Sequence, residues 1–159
     1  MSKNGGMLIN RNKTIAFNAI MCALYVVATT INPIGYGVFQ FRVSELMTVF
    51  PVHFKKARIG LLLGVAIANA MSPLGFIDVF CGTLTAGLLY YLIDRLPVHN
   101  YIKYILYSLE VGLIIGWELQ LVYHMPFALT FFTTFIPEMI LCIIGDLLAK
   151  KLKHYVSID

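Results

Sequence analysis

The sequence predicts an all-α membrane protein, a six-helix transmembrane bundle with both termini in the cytosol, and three observations predict it. Hydrophobic residues make up 59% of the 159 residues and charged residues only 13%, about half the charged share of a soluble domain. Mean hydropathy is +0.80, more apolar surface than a soluble core of this size can hide. Apolar runs follow one another with short polar or Pro/Gly breaks between them, and the basic residues fall on alternate breaks. Residues 1–159 therefore form a single integral membrane domain, with approximate spans at 14–31, 43–54, 59–72, 79–93, 101–123 and 127–148.

The first span follows a head containing Lys3, Arg11 and Lys13. It lacks a small-x-small cleavage site before a polar mature domain, and further apolar segments follow at once, so it is a span and not a signal peptide. The Pro and Gly residues of Asn32-Pro33-Ile34-Gly35-Tyr36-Gly37 end that helix and favour a turn-rich loop. The second segment carries Glu45 and is too short to cross a bilayer alone. It is either a brief helix or the inner part of a longer one. In the third, Gly60, Gly64, Ala68 and Ser72 recur every four residues, a stripe that lets helix backbones approach closely in lipid. Ser72-Pro73-Leu74-Gly75 breaks it, and Asp78 opens the fourth span, where a carboxylate caps a helix N-terminus and meets its positive dipole end. The fifth contains Gly112 and Gly116, again four apart, and the sixth ends in Lys150, Lys151 and Lys153.

Cytosolic loops of membrane proteins carry an excess of Lys and Arg. Six crossings put Lys3, Arg11, Lys13, Lys55, Lys56, Arg58, Arg95, Lys103 and the tail lysines on the inner side, leaving Arg42 alone outside. Five crossings destroy that asymmetry, so the short second segment is expected to cross with help from its flanks.

A carboxylate inside hydrocarbon is costly unless it is paired or faces water, which makes each one a candidate functional group. At about 1.5 Å per residue, Glu110 lies roughly 13 Å and Glu118 roughly 25 Å above the inner end of the fifth span, and Glu138 lies about 16 Å below the outer end of the sixth. Asp146 falls near the inner boundary, where a solvated helix end explains it, and an internal packing role is the favoured reading of Glu110. Pro137 crowds the carbonyl of Thr133 and loosens the helix beside Glu138. Either a hydroxyl of Thr130, Thr133 or Thr134 or a bound ligand or water satisfies the freed backbone groups. Gln40, Arg42, Glu45, Asn69, Asp78, Glu118 and Gln120 fall at or near the outer ends of segments, with Phe41, Trp117 and Tyr123 among them. Together these line one candidate cavity, although each aromatic alone is equally an interface anchor.

No catalytic constellation is present. The four histidines show no paired ligand spacing, so no metal site is expected, and Ser44 and Ser72 lack a nucleophile context. Without a phosphate-cradling Gly-rich loop the chain cannot use ATP itself. Cys22, Cys81 and Cys142 sit inside apolar runs as packing residues, and no cofactor and no nucleic-acid partner is expected.

The run Gln40-Phe41-Arg42-Val43-Ser44-Glu45-Leu46, then Ala68-Asn69-Ala70-Met71-Ser72-Pro73-Leu74-Gly75-Phe76-Ile77-Asp78 with Gly82-Thr83-Leu84, Gly116-Trp117-Glu118-Leu119 and Glu138, resembles the QueT family over nearly the whole chain. The resemblance implies a substrate-binding S component of an energy-coupling factor transporter in the cell membrane. Such a component binds a queuosine precursor near its outer surface and docks on a transmembrane coupling subunit driven by two ATPases. It also implies docking through small residues of the first helix, where Ala16, Ala19 and Ala23 match; packing inside the chain explains those alanines almost as well. A deazaguanine presents adjacent N–H donors that one carboxylate accepts as a charge-assisted pair. Glu118 is the first candidate for that role and Glu138 the second. Asp78 or Glu45 can pair with an aminomethyl cation, Asn69 and Gln40 can meet ring polar atoms, and Trp117 or Phe41 can stack on the heterocycle. Arg42 is expected to neutralise Glu45 or tie down the loop. The alternatives are an S component for another heterocycle or vitamin, and a non-transporting structural membrane protein whose carboxylates only lock helices together.

Overall fold

The computed structural model describes residues 3–32, 35 and 40–155, with side chains from residue 11 onward. Pro33, Ile34, Tyr36 and Gly37 of the expected loop, and the side chain of Lys3, lie outside them. The described residues are helical, without strands: α1 (Lys3–Thr30), α2 (Phe50–His53), α3 (Arg58–Ala70), α4 (Phe76–Tyr91), α5 (Asn100–Tyr123) and α6 (Phe127–Lys153), with short 3-10 turns at Val43–Met47, Lys55–Ala57 and Ile93–Arg95. Four segments among them are long and apolar enough to cross a membrane: Arg11–Thr30, Phe76–Arg95, Asn100–Tyr123 and Phe127–Lys153. At 13 residues, α3 is only about 20 Å long.

The second apolar segment is not one helix. A 3-10 turn over Val43–Met47 gives way to α2 and then to a second 3-10 turn. Pro51 stands in the first turn of α2, where its ring and missing N–H prevent a helix from continuing through it out of the preceding turn. The broken segment nevertheless runs antiparallel to most of α1. The Thr29 hydroxyl donates to Ser44 Oγ at 2.7 Å near one end, and the Asn18 amide donates to the Lys56 carbonyl at 2.7 Å near the other. Between Asn18 and Thr29, α1 rises about 16 Å.

Neighbour packing links α1 to α3, α3 to α4, α4 to α5 and α5 to α6, and the broken segment touches both α6 and α1. These six columns close a ring. Glycines set the tightest approaches. A Cβ on Gly60 would overlap the backbone of Asn18, and one on Gly64 would lie 3.1 Å from Tyr25 Cβ, so the four-residue stripe of α3 seats against α1. A Cβ on Gly116 would lie 3.0 Å from the Cα of Phe131, which packs α5 on α6, and Gly145 admits the backbone of Leu46. At Gly75, φ is +69°, a conformation that glycine adopts without strain, and it turns the chain into α4.

Basic residues gather at one end of the ring. Asp94 joins Arg58 and also accepts Lys103 Nζ at 3.1 Å. Asp146 is not the solvated helix end that its position suggested. It is fully buried and ties three columns together, through His53 Nε2 at 2.7 Å, the Tyr104 hydroxyl at 2.6 Å and Lys150 Nζ at 2.6 Å. Its neighbour Gly145 lets the broken segment approach closely enough for His53 to reach it.

Candidate ligand-binding site

Inside the ring lies a cavity to which every column contributes: Tyr25 from α1, Glu45 from the broken segment, Asn69 from α3, Gly82 from α4, Tyr107 from α5 and Glu138 from α6. The cavity is contracted, with a volume of about 40 Å³, room for a few waters and well below that of an open small-molecule site, so a ligand enters only as the walls part. Val65, Val111 and Ile115 give it apolar flanks, and Gln40 and Arg42 add polar groups. A convergence of a few polar groups on apolar walls is the usual make-up of such a site.

Arg42 organises one side. It is 6% exposed and donates through Nη2 to Asp78 Oδ2 at 2.9 Å, through Nη1 to Asn69 Oδ1 at 2.5 Å and through Nε to the Gly35 carbonyl at 2.8 Å. Burial opposes its charge, and the Asp78 carboxylate together with Tyr25 and Glu45 more than offsets this, holding the guanidinium above its ordinary pKa. It thus ties down the loop, as expected, but its carboxylate partner is Asp78 and not Glu45. Glu45 accepts instead from the Tyr25 hydroxyl at 2.6 Å and from the Thr48 hydroxyl at 2.5 Å. Asp78, for its part, makes no side-chain cap bond to α4; its Oδ2 holds Arg42, and its Oδ1 is buried without a hydrogen-bond donor among the described residues.

Opposite lies Glu138, 6% exposed, with one oxygen receiving the Cys142 thiol at 3.4 Å. The hydroxyls of Thr133 and Thr134 donate to the carbonyls of Thr130 and Phe131. They therefore serve the turn above Pro137 and leave the face of Glu138 toward the cavity to other groups. Two amide nitrogens of the cavity wall, Asn69 Nδ2 and Gln40 Nε2, are buried without an acceptor among the described residues.

Of the sequence candidates, Gln40, Glu45, Asn69 and Glu138 thus meet at one cavity. Asp78 and Glu118 are both fully buried but stand outside its lining. Neither oxygen of Glu118 meets a donor other than the neighbouring Cys81 thiol, and Asp78 and Arg42 are its nearest charged influences. Trp117 is 52% exposed on the outer face of the ring, away from the cavity. For Glu110, where an internal packing role was expected, neither carboxylate oxygen has a hydrogen-bond partner among the described residues. Ala19 and Ala23 are exposed and line an apolar groove between α1 and α3, with Ala16 exposed one turn earlier.

Sequence reasoning passed over Tyr25, Thr85 and Tyr107, which also line the cavity. The signal was present: each places a hydroxyl inside an apolar span, where polar groups are retained for a partner.

Among proteins of known family, the chain matches the family model described as QueT transporter over residues 15–154. It is also 31% identical, over 158 aligned residues that cover 89% of this chain and 92% of the relative, to the queuosine precursor transporter QueT of Lactococcus lactis subsp. cremoris (strain MG1363). No solved structure matches the chain.

Proposed function

The chain belongs to the QueT transporter family, and on that premise we propose that it is the membrane subunit that captures a queuosine precursor for import into the cell. The observation that carries this reading is the cavity on the ring axis, where two carboxylates, Glu45 and Glu138, face two buried amides, Asn69 and Gln40. A 7-deazaguanine offers the complementary edge: N–H donors for a carboxylate and a ring carbonyl for an amide donor. Glu138 is the better placed carboxylate for the N–H edge, because both oxygens of Glu45 already accept a hydroxyl. Glu118, first in the sequence reading, belongs with Asp78 to the shell around Arg42, and Trp117 is left to the lipid interface.

In this reading the ring crosses the membrane six times, the broken segment and α3 serving as the shorter crossings. Both termini lie in the cytosol at the basic end of the ring, and the mouth near Gln40 and Arg42 faces outward. The subunit is not itself an enzyme. Uptake is driven by a transmembrane coupling subunit and two ATPases, with Ala16, Ala19 and Ala23 presented to that coupling subunit along the groove between α1 and α3, a small-residue face suited to close contact in lipid.

Thermal unfolding of the purified chain in detergent tests this, because a ligand that binds only the folded state raises apparent stability. A deazaguanine precursor is expected to stabilise it selectively over riboflavin, thiamine and biotin. Stabilisation by one of those vitamins instead assigns the cavity another cargo, and a folded chain that responds to none of the compounds overturns the capture role.

A further inference from the structure

We infer that Asp78, Arg42 and Asn69 form an orienting relay that makes the cavity accept a ring carbonyl and reject an amino group at the same position of a bound heterocycle. The inference rests on reading the cavity as the precursor site and extends it to selectivity.

A carboxamide can turn either end toward a ligand, since its oxygen accepts and its nitrogen donates. At Asn69 that freedom is gone. Arg42 carries only donors, and its Nη1 takes the Asn69 oxygen at 2.5 Å. The amide nitrogen is thereby forced to the other side, where it lies in the space that a side chain on Gly82 would occupy. Gly82 itself lines the cavity. Asn69 is 1% exposed, and its nitrogen has no acceptor among the described residues. A buried donor in that state favours a ligand that supplies the acceptor.

Asp78 sets the first link. Its Oδ2 holds Arg42 Nη2 at 2.9 Å, which fixes the plane of the guanidinium, and with it the second nitrogen that reaches Asn69. Asp78 lines no part of the cavity, so it is a positioning residue. A ring carbonyl meets the fixed donor as an acceptor, whereas an amino group meets it donor to donor. Sites that bond a specific polar atom discriminate strongly against an analogue that cannot return the bond. Across the cavity, the carboxylate of Glu138 is left to accept N–H groups of the same ligand.

The test measures dissociation constants of the purified full chain for 7-deazaguanine and for 2,6-diamino-7-deazapurine, in which the ring carbonyl becomes an amino group and the adjacent ring N–H becomes a bare nitrogen; the variants at Asn69 and Asp78 isolate the share of the discrimination that comes from the carbonyl. Wild type is expected to favour the carbonyl compound by at least about tenfold. Asn69→Asp keeps an oxygen for Arg42 but presents an acceptor in place of the donor, and should narrow the ratio by at least about threefold, leaving only the discrimination that Glu138 exerts on the ring N–H. Asp78→Asn should narrow the ratio by at least about threefold although it touches no ligand, and it decides the matter if Asn69→Asp does not fold. Equal loss of both affinities with an unchanged ratio in these variants overturns the relay, as does a wild type that binds both compounds equally. A wild type that binds neither overturns the precursor reading and the relay with it.

Discussion

The Tyr104 hydroxyl of α5 donates to Asp146 Oδ1 of α6 at 2.6 Å, and His53 Nε2 from the broken segment reaches the same oxygen at 2.7 Å. One buried carboxylate therefore joins three columns of the ring at its basic end, where α2 is too short to hold its position by helix packing. Removing one member of a buried charged network leaves the others without their partner, a loss of about 3 kcal/mol or more. Asp146→Ala is expected to lower the unfolding midpoint in detergent by several degrees. Lys150→Ala should cost far less, since its side chain is 47% exposed and such pairs contribute less than about 1 kcal/mol. Equal midpoints for the two variants would show that the cluster is not what holds the segment.

Two glycines of α4 make a matched pair. A Cβ on Gly82 would coincide with the Asn69 amide, while one on Gly87 meets nothing within 4 Å. Gly82→Ala should displace Asn69 and weaken precursor binding by about tenfold, roughly 1.4 kcal/mol. Gly87→Ala should leave affinity unchanged. Isothermal calorimetry on both variants checks this, and equal affinities would mean that Asn69 contributes nothing to the bound state.

Three single substitutions separate the cavity from its surroundings. Glu138→Gln should reduce precursor affinity at least about tenfold, the scale of losing one charge-assisted pair of hydrogen bonds. Tyr25→Phe removes one of the two hydroxyls that hold Glu45 and should cost about 1 kcal/mol, or fivefold. Trp117→Phe should change affinity less than twofold, because its ring faces outward. A large effect at Trp117 with none at Glu138 would move the site to the outward face of α5.

The reach of the sequence follows from the same physics. Apolar runs marked α1, α4, α5 and α6, because hydrocarbon admits few polar residues, and the stripe from Gly60 to Ala68 marked the face that meets α1. Which face of α5 looks inward was hidden. In lipid the outward face is as apolar as the core, so periodicity does not separate Trp117, exposed, from Glu118, its buried neighbour about 100° around the helix. The pairing of Arg42 with Asp78, 36 residues apart, depends on how the ring closes, and nothing local encodes it. Asp146 was misjudged because depth along a helix says nothing about the partners that another segment brings to it. Gln40, Glu45 and Asn69 were legible as part of one group at the outer ends of their segments, whereas Glu138 stood apart at mid-depth and only the closing of the ring brings it to them.

Capture and coupling should be separable on the chain. Ala19 and Ala23 line the open groove between α1 and α3 and take no part in the cavity. Leucine at both positions adds volume to that groove without touching Tyr25, whose buried side chain lies on the other face of α1. If the groove seats a coupling subunit, close approach depends on the small side chains. The double variant Ala19→Leu, Ala23→Leu should then keep its affinity for the precursor within about twofold while uptake by cells that depend on it falls at least about tenfold, a barrier near 1.4 kcal/mol in the coupled step. Measuring both quantities on the same variant makes the result decisive. Loss of binding together with uptake would place the alanines in the packing of the chain itself, and retention of both would place the coupling surface elsewhere on the ring.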